Sequence, residues 1–255
     1  MSASFEANGA PVEQGRAQGE SQRAEIRAEL ARLRGSLSWL ARSALVRRVH
    51  ATSARALATQ LPWQRERIEG IAHAARVDES LLLVGEALTR VEAAAFAAGP
   101  LLQAVFEPPG LAARLAVRRS APDAGGFPSV EVVLAPLAGC LAGVNAEGIA
   151  VVCVRDRARD ELSLRFLAQE LLFRVRDLSA GIDHLRRRAH YAGGTGALVV
   201  ADANGAARLL RFERGALAIA DGALPGTARA PHVELDPLER RLRLGAESEW
   251  HAAAR

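Results

Sequence analysis

The spacing of apolar residues changes period several times along this chain, and the order of those changes limits what it can fold into. Ile26, Leu30, Leu33, Leu37 and Leu40 recur every three or four positions, which is an apolar stripe along a helix. A second helical stretch covers about Leu45 to Leu61 and stops at Pro62. A third begins near Trp63 and carries Ile68 and Ile71. A fourth runs from about Ser80 to Val91, with Asp78 placed to cap it. The period then shortens: Leu115 to Ser120 and Ser129 to Leu134 alternate or run apolar, as strands do, across the loop signal Ala121 to Gly126.

The remaining order is strands, two helices, strands. Leu137 to Val144 and Ile149 to Val154 flank Asn145-Ala146-Glu147-Gly148, a hairpin turn. Pairing about that turn sets Cys140 and Cys153 nearly opposite each other, as two small buried side chains. Leu164, Leu167, Leu171, Val175 and Leu178 mark one helix. Ile182, Leu185 and Ala189 mark the next, with Ser179 available as its cap. Gly196 to Asp202 and Ala206 to Phe212 are two β-like runs joined at Asn204-Gly205, a strong hairpin signal. Helices, strands, helices and strands in this order imply an α+β, layered architecture.

Composition narrows the function classes. All 33 basic residues are arginine, which with the abundant alanine reads as codon bias from a GC-rich, bacterial genome. The net charge is only +4, and the arginines are interspersed with 29 acids. A nucleic-acid surface needs basic residues gathered on one face, so nucleic-acid binding is not expected. No run of 18 apolar residues predicts a membrane span. Residues 1–21 are polar, without an apolar core, and read as a disordered tail rather than a secretion signal. The expected location is therefore the cytoplasm. Cys140 and Cys153 belong to no metal-spaced cluster, and no metal or cofactor is expected. His50, His73, His184 and His190 are scattered over helices and read as ordinary helix residues. Gly193 to Gly196 precedes a strand rather than opening a helix, so it reads as a loop rather than a phosphate cradle.

Four segments taken in order resemble the penicillin acyltransferase-like cysteine peptidases, the isopenicillin-N acyltransferase relatives among the N-terminal-nucleophile (Ntn) hydrolases. They are Ile68-Glu69-Gly70-Ile71-Ala72 through Asp78, then Arg118-Arg119-Ser120 with Pro122-Asp123, then Leu137 through Ala150, and then the helix pair followed by Ala201 to Ala206. The resemblance spans roughly Trp63 to Glu213. It implies an αββα layered sandwich with a helical N-terminal region at 22–92 and a core at 93–255, short at its C-terminus. It also implies amide or thioester chemistry by a cysteine thiolate freed through self-cleavage.

The residues that chemistry needs are mostly replaced. Aligned on Phe96, the nucleophile position reads Ala93, and the two hydroxyl positions read Ala94 and Ala95. The family arginine and asparagine fall on Ala104 and Val105, and the acid falls on Glu107. Asn145 matches the asparagine that hydrogen-bonds the developing oxyanion, a donor worth on the order of 3 kcal/mol in the transition state. It is equally a good turn residue. Cys140 is the alternative nucleophile, in an apolar run without an adjacent base. The expected function is a catalytically silent relative acting as a binding or partner protein, for a small amide or acyl ligand, a protein, or a second copy of itself. The alternative is an active C–N amide hydrolase or N-acyltransferase using rearranged residues.

Overall fold

The computed structural model describes residues 4–36, 44, 47–48, 50–98, 101–107, 115–123, 125–157, 162–189, 195–213, 215–221, 232–237, 241–245 and 250–253. Leu37, Leu40, Pro108, Pro109, His190 and most of the Gly193 loop lie outside them, as do Leu45, Val46 and Val49 of the helical stretch expected from about Leu45 to Leu61.

Residues 4–21 form a strand and a helix, where a disordered tail was expected over residues 1–21. Strand β1 (Ser4–Gly9) pairs in parallel with β4 (Leu115–Pro122). Helix α1 (Pro11–Ser21) opens with proline in its first turn and buries Gln14, Gly15, Gln18 and Gly19. These polar residues carry no apolar stripe, so the hydrophobic period gives no signal. What orders them is backbone contact. A Cβ on Gly15 would lie 2.0 Å from the Arg67 carbonyl oxygen, and one on Gly70 would lie 2.2 Å from that of Val12. Glycines at 15 and 19 thus share a face of α1 and let it touch α4 (Pro62–Ala75) backbone to backbone.

Five more of the described helices belong to the same layer as α4. Helix α2 (Arg23–Ser36) carries Ile26 and Leu30 inward. A short π-helical turn (His50–Ala54) leads into α3 (Arg55–Gln60), which stops before Pro62. Helix α5 (Glu79–Leu88) is capped as expected, Asp78 accepting from the Ser80 amide at 2.8 Å. Helix α6 (Leu164–Arg174) ends earlier than its apolar stripe, and α7 (Leu178–Arg188) begins at Leu178. The cap of α7 is Asp177, which accepts from the Ala180 amide at 2.7 Å, rather than Ser179.

The strands form one mostly antiparallel sheet that branches. Its long path runs β1, β4, β5 (Ser129–Leu134), β6 (Ala142–Asn145), β7 (Ala150–Arg157), β2 (Val91–Ala98), β3 (Leu101–Glu107), β11 (His232–Asp236), β12 (Arg241–Gly245) and β13 (Trp250–Ala253). The branch is at β7. One edge of β7 pairs with β8 (Thr195–Ala201), which continues to β9 (Ala207–Glu213) and β10 (Ala216–Asp221). Its other edge is shared: residues 150–152 pair with β6, and Asp156 and Arg155 pair with Val91 and Glu92 of β2. The register against β8 shifts between Cys153 and Arg155, a bulge that bends the strand where the neighbour changes. The β8–β9 hairpin turns at Gly205, whose φ of +82° requires a residue without a side chain.

Strand alternation then sorts side chains into two cores. Val151, Cys153, Leu198, Val200, Leu210 and Phe212 face the helices, together with Ile68, Leu82, Leu167 and Leu171. Ala150, Val152, Val154, Val199 and Leu209 face the other way, toward Ala95, Leu102, Ala104, Phe106, Leu235 and Leu242 of the folded-over strands. No helix residue enters this second core among the described residues. The expected α+β class therefore holds as helices on one face of a folded sheet. Of the four expected layers, the described residues supply one helical layer and two of strand.

If the α1–α4 crossing is as close as this, Gly15→Ala will overpack it and cost about 2 kcal/mol or more, read by chemical denaturation. Gly35→Ala, with nothing near its added methyl, will instead be neutral or slightly stabilising as a better helix former. Equal effects at the two positions would contradict the crossing.

Candidate functional site

The four positions singled out by the sequence do not converge. Ala93 lies on β2 opposite Phe106, half-buried, and Glu107 on β3 lies opposite Glu92. Asn145 ends β6, its amide donating to the Ile149 carbonyl across the turn at 3.0 Å. Both β2 and β6 use the same edge of β7, but at opposite ends. Ala93 follows the Glu92–Arg155 pair and so falls beside Val154, whereas Asn145 faces Ile149. Five residues of strand separate them, on the order of 15 Å.

Asn145 is fully committed to the fold. Its side chain is completely buried. Its amide nitrogen donates to the carbonyls of Leu172 at 3.0 Å and Val175 at 2.8 Å, at the end of α6. Its carbonyl oxygen accepts from the amides of Glu147 at 3.1 Å and Ile149 at 2.9 Å. Both amide hydrogens are thus spent on carbonyls that a helix terminus would otherwise leave unpaired. The residue clips the β6–β7 turn to α6 and has no hydrogen left for an oxyanion.

Cys140 and Cys153 are free, fully buried thiols on the helix-facing core. They are near neighbours as expected, with the Cys153 amide donating to the Leu141 carbonyl at 2.8 Å. Burial pushes the Cys140 thiol well up, and the Glu131 carboxylate pushes it further, against a smaller opposing pull from Arg118 and Arg67. Burial also raises Cys153, helped by Asp156. Neither has the lowered pKa and exposure of a reactive cysteine.

The concentrated chemistry of the molecule lies instead between the sheet and the helices. Arg118 and Glu131 are cross-strand partners on β4 and β5 and form a fully buried ion pair. Arg118 also donates to the Gln18 side chain of α1 and to the Ala138 carbonyl at 3.3 Å. Glu131 accepts from Ser129 at 2.7 Å and from Gln169 of α6 at 2.9 Å, and Gln64 of α4 donates to Gln169 at 2.9 Å. Burial alone would raise the Glu131 carboxyl. The two guanidiniums of Arg118 and Arg67, with hydrogen bonds from Arg118 and Ser129, more than offset it and hold the group below its usual range.

A second buried knot fixes the helices' far end. Glu86 of α5 accepts from the amides of Ala138 at 2.5 Å and Gly139 at 2.9 Å, and from Arg165 of α6 at 2.9 Å. Arg165 also donates to the Thr89 carbonyl at 3.0 Å and lies 3.2 Å from Asp156 of β7. Burial opposes its charge, but Asp156 and Glu86 outweigh that and raise its pKa. A third group surrounds buried Glu170, which accepts from Trp63, lies 2.9 Å from Arg174 and is within 3.5 Å of His184. Trp63 stacks on Phe173 at 4.3 Å.

A surface groove of about 290 Å³ lies between α2 and α5, lined by Glu29, Arg32, Leu33, Leu88, Thr89 and Pro136 among others. None of Ala93, Glu107, Cys140 or Asn145 contributes to it. Among the described residues, no helix is long and apolar enough to cross a membrane.

Comparison with known proteins finds no matching family model and no matching curated protein. Among solved structures, a penicillin V acylase from Agrobacterium tumefaciens aligns with a TM-score of 0.31 at 13% identity. The alignment covers 52% of this chain and 50% of that one, so the chain matches about half the length of the acylase. A likeness of this size fixes neither topology nor chemistry.

Removing the clip will be costly. Asn145→Ala leaves two carbonyls and two amides without partners, and should lower stability by about 3 kcal/mol in urea denaturation. The Glu131 carboxyl, held down in the folded state, contributes stability that is present above the ordinary carboxylate range. That contribution is lost as pH falls through the lower, folded pKa. Glu131→Gln will therefore flatten the acid limb of the stability–pH curve. It will also lower the plateau by about 3 to 5 kcal/mol, because Arg118 is left unpaired.

Proposed function

We propose that this chain is a non-catalytic binding or partner protein on a frame related to the amide-processing Ntn hydrolases. The observation that carries the reading is the commitment of Asn145: the one family position retained in the sequence has all its hydrogen-bonding capacity engaged within the fold. Acyl transfer also requires a nucleophile. Ala93 offers no heteroatom, and Cys140 is a buried thiol kept protonated by its surroundings. A ligand on such a frame would be a small amide or acyl compound, held without turnover. A protein partner, or a second copy of the chain, is the other form of the same role.

The test is chemical. Purified, untagged protein incubated for days should remain one species of 27.1 kDa by intact mass, with no new N-terminus near residue 93 or at Cys140. Native protein should leave Cys140 and Cys153 unlabelled by a thiol reagent, with both labelled after unfolding. Ala93→Cys alone should not hydrolyse a panel of amides and thioesters, since Ala104, Val105 and the engaged Asn145 leave the thiol without partners. Turnover by that variant, or self-cleavage of the parent, would overturn the reading in favour of an active hydrolase.

A further inference from the structure

The Arg118–Glu131 network contains one guanidinium too many. Arg67, on the inner face of α4, is 1% exposed. Its Nε and Nη2 have no hydrogen-bond partner. Arg118 Nε and Ser120 Oγ, on the same face of β4, are likewise buried and unpartnered. Among the described residues, the unpartnered acceptors of the network are Gln64 Oε1, on the turn of α4 before Arg67, and the Ser120 hydroxyl, which can also donate; neither carries a negative charge. Charge runs the same way as hydrogen bonding. Two guanidiniums interact with each other, and among the described residues one carboxylate, Glu131, opposes them. The neighbouring Cys140 supplies no negative charge, because its surroundings keep it a thiol. Buried donors in native proteins are nearly always satisfied, and an uncompensated buried charge is far costlier than an unsatisfied amide.

We propose that Arg67, Arg118 and Ser120 form an internal binding site for one small monovalent inorganic anion, chloride under ordinary salt conditions. A single negative charge brings the cluster to neutrality, and a spherical acceptor can take several N–H and O–H donors at once. Arg67, Arg118 and Ser120 are all buried, so an ion held there would be a structural ligand rather than a substrate. The effect on Arg67 agrees in sign. Burial first, and then repulsion from Arg118, pull its pKa down to about 9. A bound anion would relieve both. The inference does not rest on the non-catalytic reading, and an active enzyme could hold the same ion.

Diffraction from crystals of the full chain soaked in bromide tests it directly. The expected result is an anomalous peak within hydrogen-bonding distance of Arg67 Nε or Nη2. Ordered water alone at those atoms, or bromide confined to the surface, overturns the proposal. In solution, thermal unfolding is compared in chloride and in isethionate, a larger anion, at equal ionic strength. Chloride at ten times its dissociation constant should raise the folding equilibrium constant about elevenfold over isethionate. Arg67→Met should abolish that difference, whatever it does to stability itself. Should that variant not fold, Ser120→Ala should reduce the difference. An equal response in parent and variant would mark a general salt effect and sink the site.

Discussion

The arrangement on which the rest of this structure depends is the ion pair between Arg118 and Glu131, inside the layer where helices meet sheet. Two charges taken from water into a protein interior cost several kcal/mol each, and their attraction repays this only when the remaining donors and acceptors are also satisfied. That condition dictates what must cover them. Helix α1 brings Gln18, α6 brings Gln169, and α4 brings Gln64 to hold Gln169. The helices are therefore not interchangeable apolar lids. Each is registered on the sheet by a polar group that only one position supplies. The glycine-mediated contact of α1 on α4 follows from the same demand, because Gln18 can reach Arg118 only if α1 lies close.

The sequence carried the elements whose signal is local. Asp78 before an apolar run, Asn204-Gly205 between two β-like runs, and the alternation of Ser129 to Leu134 were all legible, because each depends on backbone chemistry within a few residues. Residues 4–21 were not. Their order comes from Gly15 meeting Arg67 and Gly70, Gly19 meeting Ile71 and Ala74, and Gln18 meeting Arg118 a hundred residues away, and none of these contacts leaves a hydrophobic period. The one available signal was two glycines four apart in an otherwise helix-compatible stretch, the spacing that puts both on one face. Strands β2 and β3 were missed for a related reason. Their alanine-rich sequence has little β-propensity, and partners on both sides, β7 and β11, impose the extended form.

The candidate site shows a different limit. Motif matching reads residue types, whereas function depends on which atoms remain available. Asn145 has the residue type that an oxyanion donor needs, and the position the resemblance assigns to one. Its burial and its four hydrogen bonds are invisible from the sequence, since two of them go to carbonyls near residue 175. The same holds for Arg67, Arg118 and Arg165. In a chain whose every basic residue is arginine, nothing marks these three as buried: Arg67 follows exposed Glu66, and Arg118 precedes half-buried Arg119.

Polar residues in an interior can serve chemistry or architecture, and the number of groups holding each one separates the two roles. A catalytic carboxylate or amide must keep at least one lone pair or hydrogen for substrate. Glu86 gives its oxygens to two amides and a guanidinium, Glu131 to a serine, an arginine and a glutamine, and Asn145 uses every position it has. These three tie α5, the sheet and α6 into one body, and they cannot be released for catalysis without loosening it. Arg67 differs: it is buried, and two of its guanidinium nitrogens have no acceptor. If the interior of this protein has kept a place for a ligand, the imbalance of charge and hydrogen bonding puts it there, beneath α4, rather than at the strand where the resemblance would put a nucleophile.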